Sequence, residues 1–193
     1  MQKRSEKTRA RLLDAAQKQF AAKGYEAASV DDICAAADVS KGAFYHHFES
    51  KQGLFLALLN GWLQQIDRGI AALRKPSVPL TLLALTEILP EVLTTASHQL
   101  PMFLEFWLRA SRDKKVWRAS IKPYKHFREY FAGLVAEGTA EGSLKNVDAD
   151  LVGQIILSMA VGILLQALLE PRGTDWQKTA RQGMQLIMEG VAK

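Results

Sequence analysis

Residues 29–51 read SVDDICAAADVSKGAFYHHFESK, and the fold turns on how this stretch is read. Ser29 stands three residues before Asp32, the spacing of a capping box, in which each side chain binds the other residue's backbone amide. The box opens a short helix that turns Ile33 and Ala36 inward. Asp38 falls in the turn that follows, where a short polar side chain tolerates a left-handed backbone. Ser40 then caps a helix from Lys41 to Phe48, and Ser50 caps the next. Helices this short are not stable alone. They must pack on the helix before them, through Phe20, Ile33, Val39, Phe44 and Phe48. Lys41, Gly42, Ala43, Tyr45, His46 and His47 remain for the outer face. Gly42 and Ala43 carry no bulk, so this helix can enter a major groove closely. Tyr45 and the histidines can donate to phosphates or base edges. Lys51, with the free amides at its helix start, can meet a phosphate. The pattern predicts a helix-turn-helix that reads DNA.

Upstream, a first helix is expected from about Glu6 to Lys23, with Leu12, Leu13, Ala16 and Phe20 as its apolar stripe and Gly24 as its C-terminal cap. From Tyr25 to Ser50 the only cation is Lys41, against Glu26, Asp31, Asp32, Asp38 and Glu49. The motif is therefore acidic. Lys3, Arg4, Lys7, Arg9 and Arg11, facing only Glu6, supply the charge that it lacks. The alternative for this arm is a frayed, solvated tail.

Downstream, Leu54, Leu58, Trp62, Ile66 and Ile70 recur every four residues along a long helix from about Lys51 to Leu73. Residues 75–79, KPSVP, break the chain. Further helices are expected over 80–97 with a kink at Pro90, from Pro101, over 115–137 with a bend or late start at Pro123, and over 148–169. Thr174 and Gln177 suit a capping box for the last helix, whose one side carries Trp176, Ala180, Met184, Ile187 and Val191. Residues 151–169 are long and apolar enough to span a bilayer, but Gln154, Ser158 and Gln166 interrupt them. A helix buried on most sides of a soluble assembly is the preferred reading, with no membrane partner.

The 193 residues are 48% hydrophobic, enough for a real core, and strand-like alternation is nearly absent, so the chain reads as all-α. Net charge is +5 and the pI is about 9.3, which suits an anionic partner. The single cysteine, Cys34, excludes an intrachain disulfide and fits a reducing, cytoplasmic setting. No secretory signal is recognisable at the N-terminus. His46, His47, His98 and His126 have no metal-ligand spacing with Cys34, and no HExxH, GxSxG or phosphate loop occurs. An enzyme, a metal site and a cofactor are therefore not expected.

The motif closely resembles the N-terminal domain of the tetracycline-repressor (TetR) family of bacterial transcription regulators. Ala15, Phe20, Gly24, Tyr25, Ser29, Ile33, Ala36, Ala37, Val39, Ser40, Gly42, Phe44, Tyr45, His47, Phe48, Lys51 and Leu54 match it in one unbroken register. The rest of the chain matches in layout, with EGSLKNVDADLV similar to a stretch before the family's dimerisation helices. Asp38 stands where Gly is usual and Cys34 where Ala is usual. The resemblance implies a helix-turn-helix domain over 1–50 and a helical effector-binding and dimerisation domain over 51–193. It also implies a homodimer on a near-palindromic operator with half-sites about 34–36 Å apart. By position, Lys41, Gly42, Tyr45, His46 and Lys51 are expected on DNA, joined by Arg4 from the arm and by Ser29, Ser40 and Ala43.

The same resemblance places a small-molecule effector, apolar or aromatic, in the aromatic-rich body. Trp62, Phe103, Phe106, Trp107, Trp117, Tyr124 and Phe127 are its candidate contacts, although each aromatic taken alone also suits a core. Glu105 has two readings: it faces a cationic ligand, or it pairs with Arg109 one turn on. Gly153, Ala160 and Gly162 allow close helix approach in the apolar C-terminal hairpin. Leu151, Ile155, Met159, Ile163, Trp176, Ala180, Met184 and Ile187 are the expected dimer face of a four-helix bundle, against a thick monomer core as the alternative. The function expected is repression released by the effector. The rivals are an activator or nucleoid-type binder and a helical interaction module.

Overall fold

The computed structural model describes residues 2–114, 117, 118 and 121–193, and the side chains of all of these except 2, 3, 97–102, 109 and 110. Among the described residues the chain is all-α, and its single β feature is an isolated bridge from Leu144 to Ala192. The helices are α1 (Gln2–Ala27), α2 (Val30–Ala37), α3 (Lys41–His47), α4 (Lys51–Ala72), α5 (Val78–Leu85), α6 (Leu89–Ala110), α7 (Lys122–Ala140), α8 (Ala149–Leu169) and α9 (Trp176–Val191). Two compact units result. The first holds residues 1–64 and 98–120, the second 65–97 and 121–193.

The local signals of the first unit act as expected. Gly24 breaks α1 with φ 79°, a conformation that favours glycine. Ser29 accepts from the Asp32 amide at 3.0 Å, and the Asp32 carboxylate takes the Ser29 amide at 2.9 Å. These bonds, with Lys23 nearby, hold the Asp32 carboxyl well below the usual carboxylate range. Asp38 ends α2 with φ 49° and ψ 55°. The Ser40 and Ser50 hydroxyls cap α3 and α4. Phe20, Ile33, Phe44 and Phe48 are buried, and Val39 is half-buried.

Several expectations need correction. α1 begins at Gln2, not near Glu6, so the basic arm is helical. On α2 the inward residues are Ile33, Cys34 and Ala37, while Ala36 is exposed, because the short helix lies with that edge on α1. Burial pushes the Cys34 thiol above its ordinary pKa, as befits a packed residue. Pro101 starts no new helix: α6 continues through it, since one missing backbone donor does not outweigh the packing of Phe103 and Phe106 farther along. A 3-10 turn over Thr86–Ile88 separates α5 from α6, and Pro90 lies in the first turn of α6, where it needs no donor. Pro123 likewise sits at the start of α7.

In the second unit α7 lies against α8. A Cβ on Gly153 of α8 would come within 2.5 Å of the Ala132 backbone nitrogen on α7, so the small residue serves contact inside the chain. Arg74 pairs with Glu137, and Asp67 meets His126 at 3.1 Å. The cap of α9 is Asp175, not Thr174, because its carboxylate takes the Lys178 amide at 2.9 Å. α8 is long and apolar enough to cross a bilayer by length and composition. Val152, Ile156, Leu157, Ile163 and Ala167 nonetheless bury one side of it within the protein.

Candidate nucleic-acid interface

One face of the first unit gathers cations around the turn. Arg4, Lys7, Thr8 and Arg11 follow one another at helical spacing on α1. They line a cavity of about 430 Å³ together with Asp38, Val39, Ser40 and Ala43. The open end of α3 thus shares a basin with the basic arm. Lys7 and Arg11 belong to this basin yet were seen in the sequence only as members of a charged arm. The spacing 4, 7, 8, 11 is the signal that assigns them to one face.

The expected DNA-facing residues fall into two groups. Arg4, Gly42, Tyr45 and His46 are exposed and Ala43 half-buried. A Cβ on Gly42 would meet nothing closer than the Ser40 hydroxyl at 3.7 Å, so the surface there is open. Tyr45 is 56% exposed while its ring leans edge-on against Phe44, with 5.2 Å between centroids, which fixes its direction. The second group is already engaged. Ser29 and Ser40 use their hydroxyls as caps. Lys41 is paired with Asp31 at 2.7 Å, which raises its pKa. Arg11 holds both the Asp38 carboxylate and the Asp38 carbonyl at 3.1 Å. These exposed pairs are weak and can be exchanged for phosphates.

Lys51 departs from its expected place. Its ammonium donates to the carbonyls of Tyr25 at 2.8 Å, Ala28 at 2.9 Å and Glu26 at 3.1 Å, and sits 4.6 Å from the Tyr25 ring centre. Burial lowers its pKa, with the Glu105 charge acting against that. It is turned into the protein, not towards a phosphate. His47 is also tucked in, its pKa lowered by burial first and by His46 and Arg9 next.

The aromatic candidates separate. Trp62 stacks on Phe103 with centroids 5.1 Å apart, and Trp107 lies beside Phe103. Phe106 stacks on Phe55 at 4.1 Å and meets Tyr25 edge-on. Trp117 and Tyr124 are exposed, and Tyr124 and Phe127 belong to the second unit. Glu105 has partners that neither reading named: its two carboxylate oxygens take the amides of Tyr25 at 3.0 Å and Glu26 at 3.2 Å. The side chains of Arg109 and His98 lie outside the described ones. Of the expected dimer face, Leu151 and Ile155 are exposed and Met159, Trp176 and Ile187 half-buried. Ile163, Ala180 and Met184 are instead buried within the chain, where α8 and α9 pack closely enough that Met159 of α8 lies against Gly183 of α9. Val161, Leu169 and Leu186 are exposed apolar residues that the sequence did not single out.

Two family models match the chain. Residues 12–58 match the model of bacterial regulatory proteins of the tetR family, and residues 82–192 match the C-terminal model of BetI-type transcriptional repressors. The HTH-type transcriptional regulator UidR of Escherichia coli K12 is 25% identical over 99% of this chain and 96% of its own. The HTH-type transcriptional repressor KstR2 of Rhodococcus jostii is 28% identical over 95% of this chain and 91% of its own. Among solved structures, a TetR-family regulator from Mesorhizobium loti is similar with a TM-score of 0.82 at 20% identity, covering 98% of this chain and 99% of that one. A transcriptional regulator from Saccharomonospora viridis, in complex with choline, is similar with a TM-score of 0.77 at 22% identity, covering 96% and 97%.

Proposed function

Since the chain belongs to the TetR family of bacterial transcriptional regulators, we propose that it is a cytoplasmic repressor that binds a near-palindromic operator as a homodimer and leaves it when a small effector binds. It is a regulator of transcription and not an enzyme. The observation that carries the DNA reading is the basin in which Arg4, Lys7 and Arg11 of α1 meet the open start of α3. Arg4 and Lys7 neutralise phosphates, Arg11 and Lys41 join by releasing Asp38 and Asp31, and Gly42, Tyr45 and His46 approach base edges. The functional division falls at residue 50, residues 51–193 serving effector and dimer.

The effector belongs to the apolar or aromatic class, with Trp62, Phe103, Phe106 and Trp107 as its first candidates. Aromatic faces also attract cations, and the choline held by the similar S. viridis protein brings quaternary ammonium compounds within that class. Such an effector acts by preferring a conformer whose two α3 helices are wrongly spaced. DNA then opposes effector binding by the same factor. α4 and α6 each run through both units and are the continuous elements along which this linkage can pass.

A direct experiment is selection of a duplex from random-sequence DNA, followed by titration at fixed salt with wild type and Tyr45→Ala. The substitution is expected to leave the protein folded and to weaken binding by about 1–3 kcal/mol. Equal affinity of the two proteins would remove Tyr45 from the reading face.

A further inference from the structure

The segment joining α1 to α2 is gripped from two sides by groups that no DNA contact accounts for. Gly24 turns the chain, and Tyr25 and Glu26 follow with their amides directed at Glu105 of α6, at 3.0 and 3.2 Å. The carbonyls of Tyr25, Glu26 and Ala28 meet the Lys51 ammonium of α4, at 2.8, 3.1 and 2.9 Å. One carboxylate thus holds two donors of this segment, and one ammonium holds three of its acceptors. The Tyr25 ring is enclosed by Phe20, Phe55 and Phe106 at 5.3, 5.0 and 5.3 Å, and Phe106 adjoins Glu105 in sequence. A Cβ on Gly24 would come within 3.0 Å of a Glu105 oxygen, so the carboxylate lies close against this turn.

We propose that Glu105 is a positioning residue for DNA reading: with Lys51 it fixes the Tyr25–Ala28 segment, and through it the start of α2 and the presentation of α3. The reason is connectivity. Ala28 leads directly to Ser29, whose capping box sets the first turn of α2. α2 and α3 are joined by a turn of only three residues, 38–40. A shift of the gripped segment therefore displaces α2 and α3 together. Charge-assisted bonds are short-ranged and directional, so they set a position more sharply than apolar contact alone. This inference rests on the DNA reading given above.

The test uses the full chain, a fluorescent duplex selected from random DNA by the wild type, and the variants E105A and E105Q. Glutamine keeps one acceptor oxygen and nearly the same shape, so E105Q preserves packing should E105A fold poorly. Loss of two charge-assisted bonds in E105A is expected to weaken binding about tenfold at fixed salt, with E105Q in between. The slope of log Kd against log salt should stay at the wild-type value, because no phosphate contact is removed. Hydrogen exchange at the Tyr25 and Glu26 amides should accelerate while the middle of α1 stays protected. A group that merely stabilises the fold would lower Tm and leave the affinity of the folded protein unchanged. Wild-type affinity in both variants overturns the inference, and so does a weakened affinity with an altered slope, which would mean that phosphate contacts themselves had been lost. If the wild type selects no duplex, the DNA reading falls, and the inference with it.

Discussion

Asp38 puts a carboxylate in the same basin as Arg4, Lys7 and Arg11. Its backbone is left-handed, which aspartate and asparagine tolerate better than most residues. Its side chain is almost fully exposed and grips Arg11 at 3.1 Å. In the free protein, then, an acid occupies a cation that DNA phosphates would claim. Asn at this position keeps the backbone conformation and removes the repulsion. Asp38→Asn is expected to tighten duplex binding by about threefold and to steepen its salt dependence. Anisotropy titrations at several salt concentrations measure both quantities, and unchanged or weaker binding would show that Asp38 does not face phosphate. The departure of Asp38 from the usual glycine was visible in the sequence, but its partner was not. Arg11 lies 27 residues away, and only the packing of α1 beside the turn brings them together.

At the scale of elements, α8 presents two apolar sides. One is buried by its own chain. The other leaves Leu151, Ile155, Val161 and Leu169 exposed, which a lone helix in water does not favour. Covering Leu151 and Ile155 with a second copy would contribute about 1.5–3 kcal/mol each at most. Ile155→Glu is accordingly expected to convert a dimeric wild type into monomer without unfolding it, as read by sedimentation velocity and a thermal melt. A wild type that sediments as monomer would contradict this role of α8. Elements were legible in the sequence where their signals are local. Gly24, Ser29, Asp38, Ser40 and Ser50 each act within a few residues of themselves, and all mark the boundaries that they were expected to mark. Pro101 misled because its effect is outweighed by distant packing on α6. Lys51 and Glu105 were incompletely legible for the opposite reason. Nothing in their type or spacing points to the Tyr25 segment, and their partners there are set by tertiary contact across 23 to 80 residues.

For the whole molecule, the +5 charge is unevenly used. In the proposed DNA reading, the segment that meets base edges is acidic on its own, and the cations that bring it to a phosphate backbone come from α1. Sequence readout and electrostatic attraction are thus assigned to different helices of the first unit. The second unit adds exposed apolar surface on α8, which the proposed second copy would cover. The aromatic body was legible in the sequence as a store of large side chains, yet the structure splits it: Trp62 stacks on Phe103 and Phe106 on Phe55 in the core, while Trp117 and Tyr124 face outward. The central claim, that this chain neutralises duplex phosphates through the α1–α3 basin, is tested most directly by the salt dependence of binding to a selected duplex. Between about 50 and 200 mM salt the affinity of the wild type should fall by about a hundredfold or more, with log Kd linear in log salt. An affinity that stays flat across that range would contradict it.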